Sequence, residues 1–276
     1  MGTAVAVMAV ACGIGLVAFL SDVKSQPGGT STGAADAADR LSITASVQRV
    51  NAGADDLDLR VLVVPHGALS AADGVSPTRD ITVSTSGITR GTLTFPAGQR
   101  INAQDLLVGL ESGEFADYPF DRYKAEIYFA ASVDGKPVPA EVELVEADPL
   151  FTAQAETGGD RLAPGFDVEL RRSRGNFTMA WLMFAVMWAL ALAVAAGALV
   201  IGRTRKGMVW PALGWMAATL FALAGFRNIA PGSPPIGCLL DYTAFLWAEA
   251  IVAFSVVYVV LRGAPVELTP PPAAEA

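Results

Sequence analysis

The chain has 276 residues, of which 53% are hydrophobic and only 17% charged, and its net charge is −8. A soluble domain carries about 25% charged residues, so the deficit excludes a single water-soluble body and points to long apolar runs. Of the 27 acidic residues 23 lie between positions 21 and 176, against 14 of the 19 basic ones, and this acidic segment argues against nucleic acid as a partner.

Residues 3–20 carry no charge, which is about the minimum length that spans a bilayer. A secretory signal would open with basic residues and close on a small-residue cleavage site. This run opens MGTAVAV and continues into SDVKSQ, so residues 1–20 read as an N-terminal transmembrane anchor or uncleaved signal. Residues 21–40, rich in Gly, Ser, Ala and Asp, read as a linker.

From Leu41 the texture changes to short alternating runs: LSITASVQRV, DLDLRVLVVP, RDITVSTSG, GTLTFPAG, YKAEIYFAASV, AEVELVEAD and FDVELRRSR. Alternation at every second residue is the signature of half-buried strands, and the turn residues between them supply the punctuation. Residues 41–175 therefore read as an extracytoplasmic antiparallel β-sandwich of seven to eight strands. Neither cysteine falls inside this segment, since Cys12 lies in the first apolar run and Cys238 in a later loop. A disulfide framework or zinc site there is excluded. His66 is the single histidine and follows Pro65, where it reads as a turn residue.

Within the sandwich, Tyr118, Pro119, Phe120, Asp121 and Arg122 form an aromatic, proline-containing, charged turn between two strands. Two readings are open. In one the turn is tight, Tyr118 and Phe120 plug an end of the sandwich, and Asp121 bonds nearby backbone amides. In the other it is a contact loop that meets a partner or the membrane domain.

Residues 177–202, 208–226 and 242–261 form three further apolar runs, so residues 176–262 read as a three-helix transmembrane domain and 263–276 as a cytoplasmic disordered tail. Trp181, Trp210 and Trp247 fall near the ends of these runs, where interfacial tryptophans belong. The short RTRK connection at 203–206 carries three positive charges and is placed in the cytoplasm. That puts the β-domain outside a plasma membrane and both termini inside. Arg171, Arg172 and Arg174 conflict with this orientation, because they then lie just outside the membrane.

Between the last two runs, Arg227, Asn228, Pro234, Pro235 and Asp241 define a stiff loop bracketed by opposite charges. Prolines restrict its backbone, as a fixed cap requires. Glu249 lies about eight residues into the last run, ~12 Å along a helix. By default an intramembrane carboxylate faces other helices and has a partner. Either Arg227, Asp241 and Glu249 form one structural polar cluster, or Glu249 lines a path for protons, ions or a headgroup.

The run from Arg227 to Asp241, together with DYPFDRY and the layout of one span, an outer β-domain and three spans, resembles an actinobacterial membrane-protein family, the domain-of-unknown-function family DUF4436. The resemblance implies the topology and an envelope setting, and brings no catalytic residue, metal or cofactor. The Tyr118-Pro119-Phe120-Asp121 turn is similar to the aromatic-Pro-Phe-Asp turn of pentameric ligand-gated ion channels, which hangs from a β-sandwich toward the membrane. Here the flanking cysteines and a polar pore-lining helix are missing, so the likeness extends to geometry and not to channel activity.

No nucleophile and base, metal cluster or phosphate loop can be assembled from the sequence. The expected function is non-enzymatic, with no cofactor: an accessory or scaffold subunit of a membrane complex, with lipid transport as a candidate process. Its expected partners are the lipid bilayer and other membrane-protein subunits. The alternative is an oligomeric channel or transporter in which the β-domain gates or binds ligand and Glu249 lies on the path; a homo-oligomer fits that reading.

Overall fold

A computed structural model describes residues 29–204 and 209–267, together with Gly13 and Val17. The expected first span and most of the linker lie outside these residues. The chain divides into two compact units, Met1–Asn176 and Phe177–Ala276.

In the first unit the alternating runs form the expected strands: β2 (Leu41–Asn51), β3 (Asp56–Pro65), β4 (Ile81–Thr85), β5 (Thr92–Phe95), β7 (Arg122–Val133), β9 (Ala140–Glu146) and β11 (Pro164–Arg172). Along β7 buried and outward residues alternate from Arg122 to Val133, so one face of the strand enters the core. Four more strands are present: β1 (Thr30–Gly33), β6 (Gln104–Gly109), β8 (Lys136–Val138) and β10 (Phe151–Gly159). β1 falls inside the stretch read as a linker. Its sequence TSTG has no apolar rhythm, and backbone pairing of Thr30 with Leu144 and Thr32 with Val142 defines it.

One sheet has the order β1-β9-β2-β3-β6 and the other β10-β11-β7-β4-β5, with β8 on the edge of β7. The layers are sandwich-like, but not wholly antiparallel. β2 and β9 run parallel, with Leu41 opposite Ala140 and Val47 opposite Glu146. Parallel neighbours need a long crossover, and β3 to β8 provide it. Between the sheets, Leu41, Ile43, Leu59, Ile127, Phe129 and Leu170 are fully buried. Each such side chain contributes about 1.5–3 kcal/mol on removal from water.

The second unit is helical. Helix α1 (Arg174–Thr204) starts within three residues of the unit boundary, and α2 (Trp210–Asn228) and α3 (Leu246–Glu267) follow. The five residues before α3, Asp241–Phe245, form a wider π-helical turn that is continuous with it. The expectation of a tail from 263 is corrected, because α3 continues through Pro265 to Glu267.

Each helix buries one stripe: Met187, Ala191, Val194 and Ala198 on α1, Met216, Thr219, Leu223 and Arg227 on α2, and Ala248, Val252, Ser255 and Val259 on α3. Spacings of three and four residues keep each stripe on one side of its helix. Gly202 lets α1 approach α3, since a Cβ there would strike the Tyr258 ring. The remaining faces are apolar and exposed, with Phe221 at 82% and Phe254 at 74% exposure. Trp181, Trp210 and Trp247 are likewise exposed.

Among the described residues two helices are long and apolar enough to cross a membrane: α1, and the continuous run Asp241–Glu267. Four were expected. The first expected span lies outside the described residues. The third, α2, has 19 residues, and Pro211, Trp210, Trp215 and Arg227 dilute its hydropathy.

Candidate functional site

Two buried Arg–Asp pairs organise the residues singled out above, one in each unit. The first arises from strand register. β7 and β11 pair antiparallel, ending with Arg171 opposite Arg122. One step further, Arg172 meets Asp121, while across β10 it stands opposite Phe151. Arg172 Nε donates to both Asp121 carboxylate oxygens at 3.0 Å, and Nη2 donates to Oδ2 at 2.8 Å. The Tyr123 hydroxyl donates to Oδ2 at 2.8 Å. The guanidinium lies over the rings of Phe151 at 4.3 Å and Tyr118 at 5.0 Å, so cation–π attraction offsets part of its desolvation.

The pair is almost dry, with side-chain exposures of 3% for Arg172 and 0% for Asp121. Burial, reinforced by the Asp121 charge, pushes the Tyr123 phenol above its ordinary range. Gly113 is required beside it. Its φ is +150°, and a Cβ would strike the Tyr123 ring.

The turn itself corrects one expectation. A short 3-10 segment, Phe115–Asp117, leads to Tyr118, which is fully buried, but Phe120 is 52% exposed. Only Tyr118 plugs the sandwich. Asp121 bonds the Arg172 and Tyr123 side chains rather than nearby amides. Pro119 is buried, and Arg122 points outward within 3.8 Å of Glu169.

The same geometry bears on the arginines that conflicted with the charge-based orientation. Arg172 is neutralised by Asp121, and Arg171 makes a two-pronged pair with Glu169 at 3.0 Å. Two of those three charges are thus balanced within the β-domain.

Beyond Arg172, the Ser173 backbone N–H donates to the Leu150 carbonyl at 2.9 Å, and the Ser173 hydroxyl accepts from the Asn176 N–H at 3.2 Å. Ser173 therefore caps α1. Sequence reading passed over Ser173, Tyr123 and Phe151. The S-x-x-N spacing was a usable signal for the cap, and the strand register for the other two.

The second pair lies in the helical unit. Arg227 closes the last turn of α2, and Asp241 opens the π-helical turn before α3. Arg227 Nε donates to Asp241 Oδ1 at 2.7 Å and Nη2 to Oδ2 at 2.8 Å. Nη1 donates to the Pro234 carbonyl and Nη2 to the Pro235 carbonyl, each at 2.9 Å. Asp241 Oδ2 also accepts from the backbone N–H groups of Gly237 at 2.7 Å and Cys238 at 3.3 Å. The forked guanidinium thus holds both ends of the proline loop, a task an ammonium point charge cannot perform. Burial pushes the Cys238 thiol up, away from reactive thiolate character.

Asn228 does not join this cluster and is exposed. It borders a groove of about 250 Å³ lined with Ala224, Ile236, Tyr242, Phe245 and Leu246. The π-helical turn has an additional tie: Trp188 Nε1 on α1 donates to the Thr243 carbonyl at 3.2 Å.

Glu249 does not join it either. It is half-buried on α3, and among the described residues its carboxylate makes no hydrogen bond or ion pair. The three-residue cluster expected from the sequence is therefore a pair, Arg227 with Asp241. A carboxylate at the centre of a membrane helix costs roughly 2.5–3.5 kcal/mol on insertion scales.

Among the described residues no group of three His, Cys, Asp or Glu side chains could hold a metal ion. His66 lies at the end of β3 before a 3-10 turn, as a turn residue.

The family described as a domain of unknown function, DUF4436, matches residues 31–170, just over half of the chain. A second domain of unknown function, DUF8686, matches residues 172–265. The two meet at the end of β11, where the Arg172–Asp121 pair and the Ser173 cap are built. No curated protein matches the chain.

Proposed function

The chain belongs to the DUF4436 family, and we propose that it is a non-enzymatic, multi-pass plasma-membrane protein acting as an accessory or scaffold subunit of an envelope complex. The β-sandwich lies outside the membrane, and the helical unit, with the N-terminal run, lies within it. Both termini are cytoplasmic. Lipids or other apolar molecules are the cargo class suited to this setting.

One observation carries the reading. The charged groups with the greatest chemical potential, Asp121, Arg172, Arg227 and Asp241, are all buried and engaged with each other. Such groups brace a scaffold, because a catalytic acid or base must reach its substrate. Apolar helix exteriors and the two long hydrophobic helices support the membrane setting.

The test is gentle detergent extraction of the full chain from its native membrane, followed by sizing and mass spectrometry. A reproducible assembly with different chains supports the subunit reading. A lone monomer overturns it. A homogeneous ring of identical chains, with conductance lost in Glu249→Gln, replaces it with the channel reading.

A further inference from the structure

We propose that Glu249 is the point at which the helical unit docks a transmembrane helix of a different protein, and that this helix carries a basic side chain at matching depth. The inference rests on the subunit reading and names the chemistry of the partner.

Glu249 sits within a helix long and apolar enough to span a membrane. Among the described residues it has no partner, whereas the nearest candidate, Arg227, is bound to Asp241, Pro234 and Pro235. The other basic residues of the helical region stand at the ends of its apolar runs: Arg203 closes α1, Arg205 and Lys206 follow it in the sequence, and Arg262 lies 13 positions beyond Glu249, ~20 Å along the helix. The apolar run at 3–20 contains no basic residue. A second copy brings the same inventory and would set carboxylate against carboxylate. Among the described residues no uncommitted basic side chain stands beside Glu249, and the complementary charge is assigned to another chain.

Local shape supports docking. Glu249 borders the buried stripe of Ala248 and Val252, at the edge of the exposed face. Ala253, four positions on and on the same side of the helix, is exposed. A small residue there lets a second backbone approach closely. In the low-dielectric interior the approaching cation then meets an otherwise unsatisfied carboxylate.

The experiment places a photo-crosslinking residue at Ala253 in the full chain, in its native membrane. The expected product is an adduct with one different membrane protein, joined within an apolar segment that contains a basic residue. In Glu249→Leu that adduct falls roughly tenfold, the order set by a polar contact between membrane helices. Meanwhile the purified Glu249→Leu chain melts at the same temperature or higher, because among the described residues no hydrogen bond or ion pair is lost and leucine keeps the apolar packing. Glu249→Lys abolishes the adduct, and reversing the partner's basic residue to Glu restores it.

An adduct with a second copy, with residues 3–20 of the same chain, with lipid alone, or with a helix lacking a basic residue overturns the proposal. So does a lower melting temperature for purified Glu249→Leu, which would reveal a structural role within the chain. If the complex persists unchanged in Glu249→Leu membranes, the docking point is overturned and the subunit reading stands. If the wild-type protein yields no complex, both fall.

Discussion

Arg172 and Asp121 face each other one step beyond the last pair of the β7–β11 ladder, joined by hydrogen bonds of 2.8–3.0 Å and almost completely shielded from water. The strand that delivers Arg172 continues, after Ser173, into α1. A buried pair of this kind is fragile to single changes. Removing one partner leaves an uncompensated charge and costs about 3–5 kcal/mol, whereas replacing both by apolar groups is far milder. Asp121→Leu and Arg172→Met should each lower the thermal stability of the full chain sharply. The double variant should recover much of the loss, as measured by a double-mutant cycle on unfolding of the β-domain.

Tyr123 adds a dependence on alkaline pH. Burial and the Asp121 charge raise its folded-state pKa above the unfolded value, which is about 10. A group with a raised folded pKa contributes stability that is fully present below the unfolded value and is lost as pH rises toward the folded one. Denaturant titrations should therefore show a decline above pH ~10. Tyr123→Phe should flatten the decline and cost about 1 kcal/mol at neutral pH, for one lost hydrogen bond. An unchanged alkaline slope in that variant would refute the assignment.

Arg227 should not tolerate lysine. Its fork reaches the Asp241 carboxylate and two proline carbonyls at once, and one ammonium cannot reproduce that planar arrangement. In Arg227→Lys, hydrogen–deuterium exchange at Gly237 and Cys238 should accelerate about tenfold or more, since those amides bond Asp241. Exchange in the β-domain should stay as it was.

Overpacking tests the helical unit. Gly202→Val places branched carbon against the Tyr258 ring and should destabilise the α1–α3 contact by about 1–3 kcal/mol. Tyr258→Ala should partly relieve the strain. Thermal unfolding in detergent of the single and double variants measures the compensation.

Ser173→Ala probes the chain's passage from strand to helix. It removes the acceptor for the Asn176 N–H and should cost about 0.5–2 kcal/mol. Ser173→Asp should retain the cap, and amide exchange over the first turn of α1 reports the difference.

Strand and helix signals were legible to different degrees. The strands β2, β3, β7, β9 and β11 are readable because one face of each packs into the core, which imposes a strict rhythm on the sequence. β1, β8 and much of β10 lie at edges, where backbone hydrogen bonds do the pairing and few side chains are committed. The parallel β2–β9 neighbours were illegible, since alternation reports which face is buried and is blind to strand direction. Among the site residues, Asp121, Arg227 and Asp241 stood out as charges beside proline and aromatic residues. Arg172 stood out only as a charge in the wrong place, because its partner is 51 positions away in sequence.

By itself the sequence determined the division into an acidic β-domain and an apolar helical region. Periodicity and hydropathy are local properties that solvent sorts residue by residue. Pairing needed the tertiary structure. It joined Asp121 to Arg172 through strand register and Arg227 to Asp241 through the folded proline loop. It also left Glu249 apart from both, although all five are charged side chains that look alike in one dimension. Coulomb attraction and desolvation depend on distance and burial, and only the fold sets those.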